Sequence, residues 1–271
     1  MKYKRGEVSK ILNIPIDTLL YYEQKNIINP SKDEYNNYRI YDAWDINFLL
    51  ECKKFRSYDF SLAEIETILH RGSLKDFIDK IGDRQQYIEN KLQYYTLLEK
   101  KNLKYCKSLK GIQTNLNKCT ISEQPEKYYF IHRYNYSYDY ADKIGDVAKV
   151  WLEYFPFVDF MVELSKEAVI ERANKNEYKW GFSVNKEYAK AFDLPINDKV
   201  KGVDSKKCVY TVICAGEKGS FSLQLLNNAM DYIEKNNLKL CGDVTGNLLC
   251  RVHETEGLSR YIELWLPVKK M

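Results

Sequence analysis

The segment Tyr261-Ile262-Glu263-Leu264-Trp265-Leu266 alternates at period two. A strand there would send Tyr261, Glu263 and Trp265 to one face and Ile262, Leu264 and Leu266 to the other. A carboxylate between two large rings lies either in water or at the base of an aromatic pocket. In the pocket its chemistry is the capture of a lipophilic cation. Ring faces attract the charge, and the carboxylate offsets it where water is scarce. A neutral ligand would not need the acid. The chain shows no nucleophile motif, no Gly-rich phosphate loop and no metal-ligand set, so no catalytic residue is assigned. Strand and helix position nominate Trp151, Trp180, Tyr210, Tyr261 and Trp265 as ring partners of Glu263. With 23 Tyr and 11 Phe in the chain, each of these rings also fits an ordinary core.

Seven cysteines stand at 52, 106, 119, 208, 214, 241 and 250, and no pair has C-x-x-C spacing. An odd, scattered set reads as small buried hydrophobes, and His70, His132 and His253 are dispersed. Neither a metal nor a cofactor is expected. No apolar run reaches eighteen residues and the start lacks a signal-peptide core, which predicts a cytoplasmic protein with no membrane partner. A length of 271 residues suggests two domains and a connector. Net charge is +4, and residues 1–75 hold twelve Lys+Arg against eleven Asp+Glu. A nucleic-acid surface there must come from local arrangement, with Lys2, Lys4, Arg5, Lys32, Arg39, Lys53, Lys54 and Arg56 gathered on one side.

The elements that must position these groups fall into three stretches. Beyond Cys119, short β runs (128–133, 178–184, 208–215, 248–253, 261–266) alternate with helices (138–155, 222–236) around a turn at 216–219. The order β-α-β-β-α-β-β predicts an α+β sheet with helices on one side. From about Asp83 to Leu116 good helix formers dominate, with Gly82 and Gly111 as edge markers. Ile81, Ile88, Leu92 and Tyr95 follow one heptad frame. Leu98, Tyr105, Leu109, Ile112 and Leu116 follow another, displaced by a three-residue step resembling a stammer. Such a stripe needs a partner. A second copy of the chain gives a coiled-coil homodimer; packing on the same chain is the alternative.

The first seventy residues carry two short helices across a tight turn. Val8, Ile11 and Leu12 share a face of the first, Asn13-Ile14-Pro15 breaks it, and Ile16, Leu19 and Leu20 supply apolar positions to the second. A turn cluster at 32–37 leads to the strand Tyr38–Tyr41, with Asn37 suited to positive φ. Asp42 opens a helix over 43–56, and Ser61–Glu64 is a capping box opening another through Leu69. A helix-turn-helix followed by a hairpin is a winged helix, whose second helix enters the major groove.

Gly6-Glu7-Val8, Thr18-Leu19, Tyr21-Tyr22-Glu23, Asn29-Pro30, Tyr38-Arg39-Ile40-Tyr41 and Phe60-Ser61-Leu62-Ala63-Glu64-Ile65 resemble the MerR family of transcription regulators. The likeness covers about the first seventy residues in register. It implies dimers, joined through an antiparallel coiled coil, that bind an overlong promoter spacer and distort it for RNA polymerase when an effector binds. Leu20 stands where the family usually has Arg, which removes one phosphate contact. Asn37 replaces the usual Gly of the wing, a mild conformational change. The family's metal-sensing branch uses cysteine pairs near the end of its long helix; here Cys119 stands alone. Ala215-Gly216, Tyr232–Asn236, Gly242 and Tyr261–Val268 resemble the GyrI-like effector-binding domain over about residues 121–269. That resemblance carries the cation-binding Glu onto Glu263.

The expectation is therefore an α+β chain. Residues 1–75 form a winged helix-turn-helix DNA-binding domain, 76–119 a dimerisation helix and 120–271 a GyrI-like effector-binding domain. Asp17 and Thr18 would lie near base edges. Tyr21, Tyr22, Tyr38 and Arg39 would lie near phosphates, with Lys4, Lys54 and Arg56 on the same side. Partners would be double-stranded promoter DNA, RNA polymerase, a second copy, and a lipophilic cation or other aromatic small molecule. Two alternatives compete: a small-molecule hydrolase in the C-terminal half, or a DNA-binding protein whose C-terminal half is a protein-interaction module.

Overall fold

The computed structural model divides the chain into two units, Met1–Gln93 and Tyr94–Met271. It describes residues 2–134, 137, 141–171, 178–217, 221–255 and 257–271, with backbone alone at 141–144.

The first unit opens with β1 (Tyr3–Lys4), α1 (Arg5–Leu12) and α2 (Ile16–Gln24). Asn13 adopts φ 50° and ends α1, and Pro15 at φ −56° opens α2. Left-handed backbone is tolerated by Asn, and the fixed φ of Pro suits a helix entry. β2 (Ser31–Lys32) and β3 (Arg39–Tyr41) form the wing, with β1 as third strand on β3. Asn37 takes φ 59° in the connecting turn, as its position in the sequence predicts. α3 (Ala43–Ser57) is capped by Asp42, whose carboxylate accepts from the Trp44 and Asp45 amides. α4 (Leu62–His70) has the reciprocal Ser61–Glu64 box. Val8, Leu12, Leu19, Leu49, Phe60 and Ile65 pack the centre. Ile11 and Ile16, expected on the apolar faces, are 56% and 44% exposed instead. The i, i+4 pair Val8–Leu12 already covers the inner face of α1, and Ile11 lies one step round the helix from it.

α5 runs from Leu74 to Lys110 and starts well before Asp83. Ser73 and Asp76 bond each other's backbone amides, a capping arrangement that sets the start. Gly82 therefore lies inside the helix, in open space. Gly111 ends α5, and α6 (Ile112–Asn115) follows.

The second unit adds β4 (Thr120–Glu123), β5 (Lys127–Tyr134), α7 (Ala141–Leu152), β6 (Val158–Leu164), α8 (Lys166–Ile170), β7 (Tyr178–Asn185), α9 (Lys186–Ala191), β8 (Lys201–Val203) and β9 (Lys207–Ala215). A 3-10 turn (Leu223–Leu226), α10 (Asn227–Lys235), β10 (Leu238–Leu240), β11 (Val244–Glu254) and β12 (Gly257–Lys270) complete it. The strands form one sheet in the order β4-β9-β12-β11-β6-β7-β5-β8, with β10 on the end of β12. All of its strand pairings are antiparallel. Two β-α-β-β units, β5-α7-β6-β7 and β9-α10-β11-β12, meet at the β6–β11 pair, so the two halves of the sheet mirror each other in strand order. β6 does not appear among the strands expected from sequence. The expected helix start at 138–140 and part of the 216–219 turn lie outside the described residues. The expected helix over 222–236 divides into the 3-10 turn and α10.

Helices α7 to α10 pack on one face. Val147 and Trp151 of α7 and Tyr188 of α9 meet Phe130, Val158 and Phe182. Met230 and Ile233 of α10 meet Val162, Ile262 and Leu264. On the opposite face, Leu109, Ile112 and Leu116 pack against Val212 and Leu249. The second half of the apolar stripe thus covers the chain's own sheet. The first half, Ile81, Ile88, Leu92 and Tyr95, is exposed.

Candidate functional site

Among the described residues, the face of the sheet opposite the helices carries two buried carboxylates in different settings, Glu163 and Glu263. Glu163 of β6 is 1% exposed. It accepts from the Tyr129 hydroxyl at 2.5 Å, from Lys179 Nζ at 3.0 Å and from Lys201 Nζ at 3.3 Å. Burial pushes its pKa up, but the Tyr129 bond and the two ammoniums outweigh that and hold it below the ordinary range. Glu163 is neutralised where it stands.

Glu263 of β12 is less well matched. Asn247 Nδ2 donates to its Oε1 at 3.3 Å and the Tyr210 hydroxyl to its Oε2 at 3.3 Å. No ammonium is recorded in direct contact with it among the described residues. Burial raises its pKa to about 7, against the pull of nearby Lys127. Beside it, Tyr210 and Trp265 have ring centroids 5.7 Å apart. Period-two alternation places Glu263 and Trp265 together, and β9 pairs Tyr210 opposite Trp265. Burial and Glu263 push the Tyr210 phenol well above its usual range.

Glu263 and Trp265 line a cavity of about 300 Å³, together with Asn247, Asp159, Tyr105, Lys101, Lys104 and Lys107. A larger cavity of about 920 Å³ shares Lys101, Tyr105, Asp159, Leu248 and Leu249 with it. It adds Tyr95, Leu98, Phe155, Phe160 and Arg251. Phe155 and Phe160 stack at 5.6 Å. The Tyr105 hydroxyl donates to the Leu249 carbonyl at 2.6 Å and pins α5 over the sheet. Lys101 pairs with Asp159 at 2.6 Å at the junction of the two spaces. Burial raises the Asp159 pKa, with Lys101 opposing. The larger cavity, with mainly apolar walls and a few convergent polar groups, has the character of a small-molecule site, and the smaller one beside Glu263 is lined chiefly by polar and charged side chains.

Of the ring partners nominated from sequence, Tyr210 and Trp265 join Glu263. Trp151 is wholly buried against Phe130, and its indole donates to the Pro195 carbonyl at 3.1 Å. Trp180 packs with Tyr178 and Phe221 in the core on the helical face. The Tyr261 hydroxyl donates to Glu254 at 2.7 Å, toward the far end of the hairpin.

In the first unit, a groove of about 690 Å³ gathers Thr18, Tyr21, Tyr22, Lys25, Arg56 and Arg71 with the start of α4. Asp17 is exposed beside it, and Leu20 is half-buried. The Tyr22 phenol rises above its usual range through burial, with Cys52 beside it. Arg56 Nη1 donates to the Phe60 carbonyl at 2.6 Å, which fixes its head at the groove. Tyr38 is 71% exposed on the wing. Arg39 is held by Glu23 at 2.5 Å, so a phosphate would have to share it. Lys4 and Lys54 are exposed.

Residues 3–72 match the MerR HTH regulatory protein family. The N-terminal segment is a MerR-type helix-turn-helix. A curated relative, the HTH-type transcriptional regulator ZntR homolog of Haemophilus influenzae, is 34% identical over 67 residues. That is 25% of this chain, and the match spans about half the length (50%) of the relative. Among solved structures, the EcmrR–DNA complex in EcmrR-RPo aligns over 99% of this chain and 100% of that one, at 15% identity and TM-score 0.35. A hydrolase from Listeria innocua aligns over 60% of this chain and 98% of its own, at 12% identity and TM-score 0.34.

The sequence singles out Glu263 but not several of the residues around it. Asp159 and Phe160 lie on the strand that did not register, and Asn247 stands one residue ahead of the expected 248–253 run. Lys127, first residue of β5, is 1% exposed. A lone lysine before Tyr128-Tyr129-Phe130 gives no cue in sequence that its head is buried.

Proposed function

We propose that this chain is a dimeric, ligand-responsive transcription regulator. The MerR-type unit binds double-stranded promoter DNA through Asp17, Thr18, Tyr21, Tyr22, Tyr38 and Arg39, flanked by Lys4, Lys54 and Arg56. The exposed stripe Ile81–Tyr95 pairs with a second copy. The chamber beside Glu263 takes a lipophilic cation or another aromatic small molecule, and the bound state changes promoter geometry for RNA polymerase. The observation that carries the reading is Glu263, a buried carboxylate without a contacting ammonium among the described residues, lining a cavity with Trp265 and Tyr105 in a chain whose first segment is a MerR-type helix-turn-helix.

The test is a gel shift on the chain's own upstream region, with and without tetraphenylphosphonium, beside sedimentation of the protein alone. A dimer that shifts this DNA, with a footprint altered by the cation, is expected. A monomer that ignores the DNA would refute the reading. Ile88→Asp, which places a charge in the exposed stripe, is expected to dissociate the dimer and weaken DNA binding at least tenfold, because paired half-sites depend on two readers. Leu20→Arg restores one phosphate contact. It is expected to steepen the slope of log affinity against log salt by roughly 0.9 per half-site.

A second reading is favoured by the Glu263 pKa near 7, which suits a general base. Hydrolysis of small electrophiles by the purified chain, lost in Glu263→Gln, would support it.

A further inference from the structure

A lysine already stands beside the ring and the amide that would receive an external cation, one amide away from Glu263. Lys127 Nζ lies 4.9 Å from the centroid of Trp265. It is 3.5 Å from Asn247 Oδ1, and the Nδ2 of that same amide donates to Glu263. The Lys127 side chain leaves β5 on the face that carries Glu263 and is shut off from water. Its head completes the same three-part set of ring, amide and acid that a ligand ammonium would use. Resting on the cation reading of this chamber, we propose that Lys127 is the resident cation of the site and its specificity gate: a cationic ligand enters by counter-ion exchange, in which Lys127 gives up its proton.

The exchange balances simply. One Nζ–H bond of the ammonium breaks, its electron pair stays on nitrogen, and the proton leaves to solvent. The ligand's fixed positive charge replaces that of Lys127 opposite Glu263. The groups around Lys127 are consistent with this. Glu263 on β12 and Asp159 on β6 favour its charged form, as does Cys208 on β9. Burial outweighs them and lowers its pKa to about 8. From α5, Lys101 is held by Asp159, and Lys104 is held by Glu187 at 2.8 Å. Lys107 lines the cavity. Tyr210 and Asn247 bond Glu263 and carry no charge at neutral pH. Glu163, the second buried acid on this face, is already matched by Lys179 and Lys201. A second positive charge therefore finds one unmatched acid and one lysine able to become neutral close to physiological pH. An uncharged ligand triggers no proton release, so the gate separates the two classes by pH.

The test uses the full chain, with tetraphenylphosphonium as the probe, by calorimetry in buffers of different ionisation enthalpy. Wild-type affinity is expected to rise about fourfold from pH 7.5 to 9, as the neutral fraction of a group titrating near 8 grows from about a quarter to nearly one. Proton release should shrink over the same range. Lys127→Arg cannot become neutral, so it should lose the rise and bind about tenfold more weakly than wild type at pH 9. Lys127→Met should bind at pH 7.5 at least as tightly as wild type does at pH 9. A ligand-free readout accompanies these: the Trp265 indole proton should show a titration step near pH 8 that Lys127→Met removes. Identical pH profiles for wild type and Lys127→Arg would overturn the exchange and leave the cation reading standing. No binding by any chain, with the Trp265 step intact, would refute the cation reading and with it the exchange, while Lys127 remains the resident cation. A missing step would overturn Lys127 as resident cation.

Discussion

Gly181→Ala is expected to destabilise the C-terminal unit by about 3 kcal/mol or more, a fall of roughly 6–12 °C in its melting temperature. Gly181 lies on β7 between β5 and β6, and a Cβ there would run into the Phe130 carbonyl oxygen and come within 2.9 Å of its carbon. The obstacle is backbone in the middle of a sheet, so no rotamer change relieves it. The strands must separate and lose ladder hydrogen bonds on both sides. Gly246→Ala meets the same barrier on β11, where the Cβ would strike the Glu263 carbonyl oxygen and the Leu264 side chain. That substitution should also blunt binding at the proposed ligand site, because the displaced backbone is that of Glu263. Gly202→Ala is the control: its Cβ would make ordinary contact with the Tyr128 ring at 3.6 Å. Urea titration of the three variants checks the ordering. A wild-type midpoint for Gly181→Ala would refute the close-approach argument.

These glycines also mark the limit of what sequence can convey. The N-terminal unit was legible because its instructions are local. Asn13 and Pro15 set a turn, Asp42 and Ser61 open helices through their own side chains, and Asn37 takes the one conformation that its turn requires. None of these depends on residues far along the chain. β12 was legible for the same reason, since strict alternation fixes its two faces. The partners of Glu263 were not. Asn247, Asp159 and Lys127 reach it from three other strands, and antiparallel register decides which of them arrive. β6 escaped because Asp159 and Glu163 break its apolar pattern, although both acids face the cavity side with their neutralising lysines. Trp151 and Trp180 illustrate the converse. Large rings attract attention in a sequence, yet both sit in the packing of the helical face. The early start of α5 was hidden by Gly82, whose propensity penalty of about 1 kcal/mol is small beside a cap and a long run of favourable residues.

Glu263→Gln should separate stability from ligand recognition. The carboxylate has a folded pKa of about 7 against the ordinary 4.5, with burial as the main cause. Between those values the folded chain binds more protons than the unfolded chain. The stability associated with the protonated acid is fully present below pH 4.5 and is lost as pH rises through 7. A shift of this size corresponds to about 3 kcal/mol at most. Glutamine keeps the shape and one acceptor without the charge, so the variant should lack this slope and exceed wild type in stability at pH 8. The gain is partial, because Lys127 loses its counter-charge and sheds its proton more readily. The same substitution should weaken tetraphenylphosphonium binding at pH 8 by roughly thirty- to a hundredfold, the equivalent of about 2–3 kcal/mol for one charge pair in a poorly hydrated site. Binding of an uncharged aromatic probe should change little. Urea unfolding from pH 4.5 to 8.5, beside fluorescence titration with both probes, measures the two effects on the same protein. Undiminished cation binding in Glu263→Gln would remove this carboxylate from the ligand site, whatever its effect on stability. If both expectations hold, the acid is retained at a cost to the fold because recognition of charge requires it.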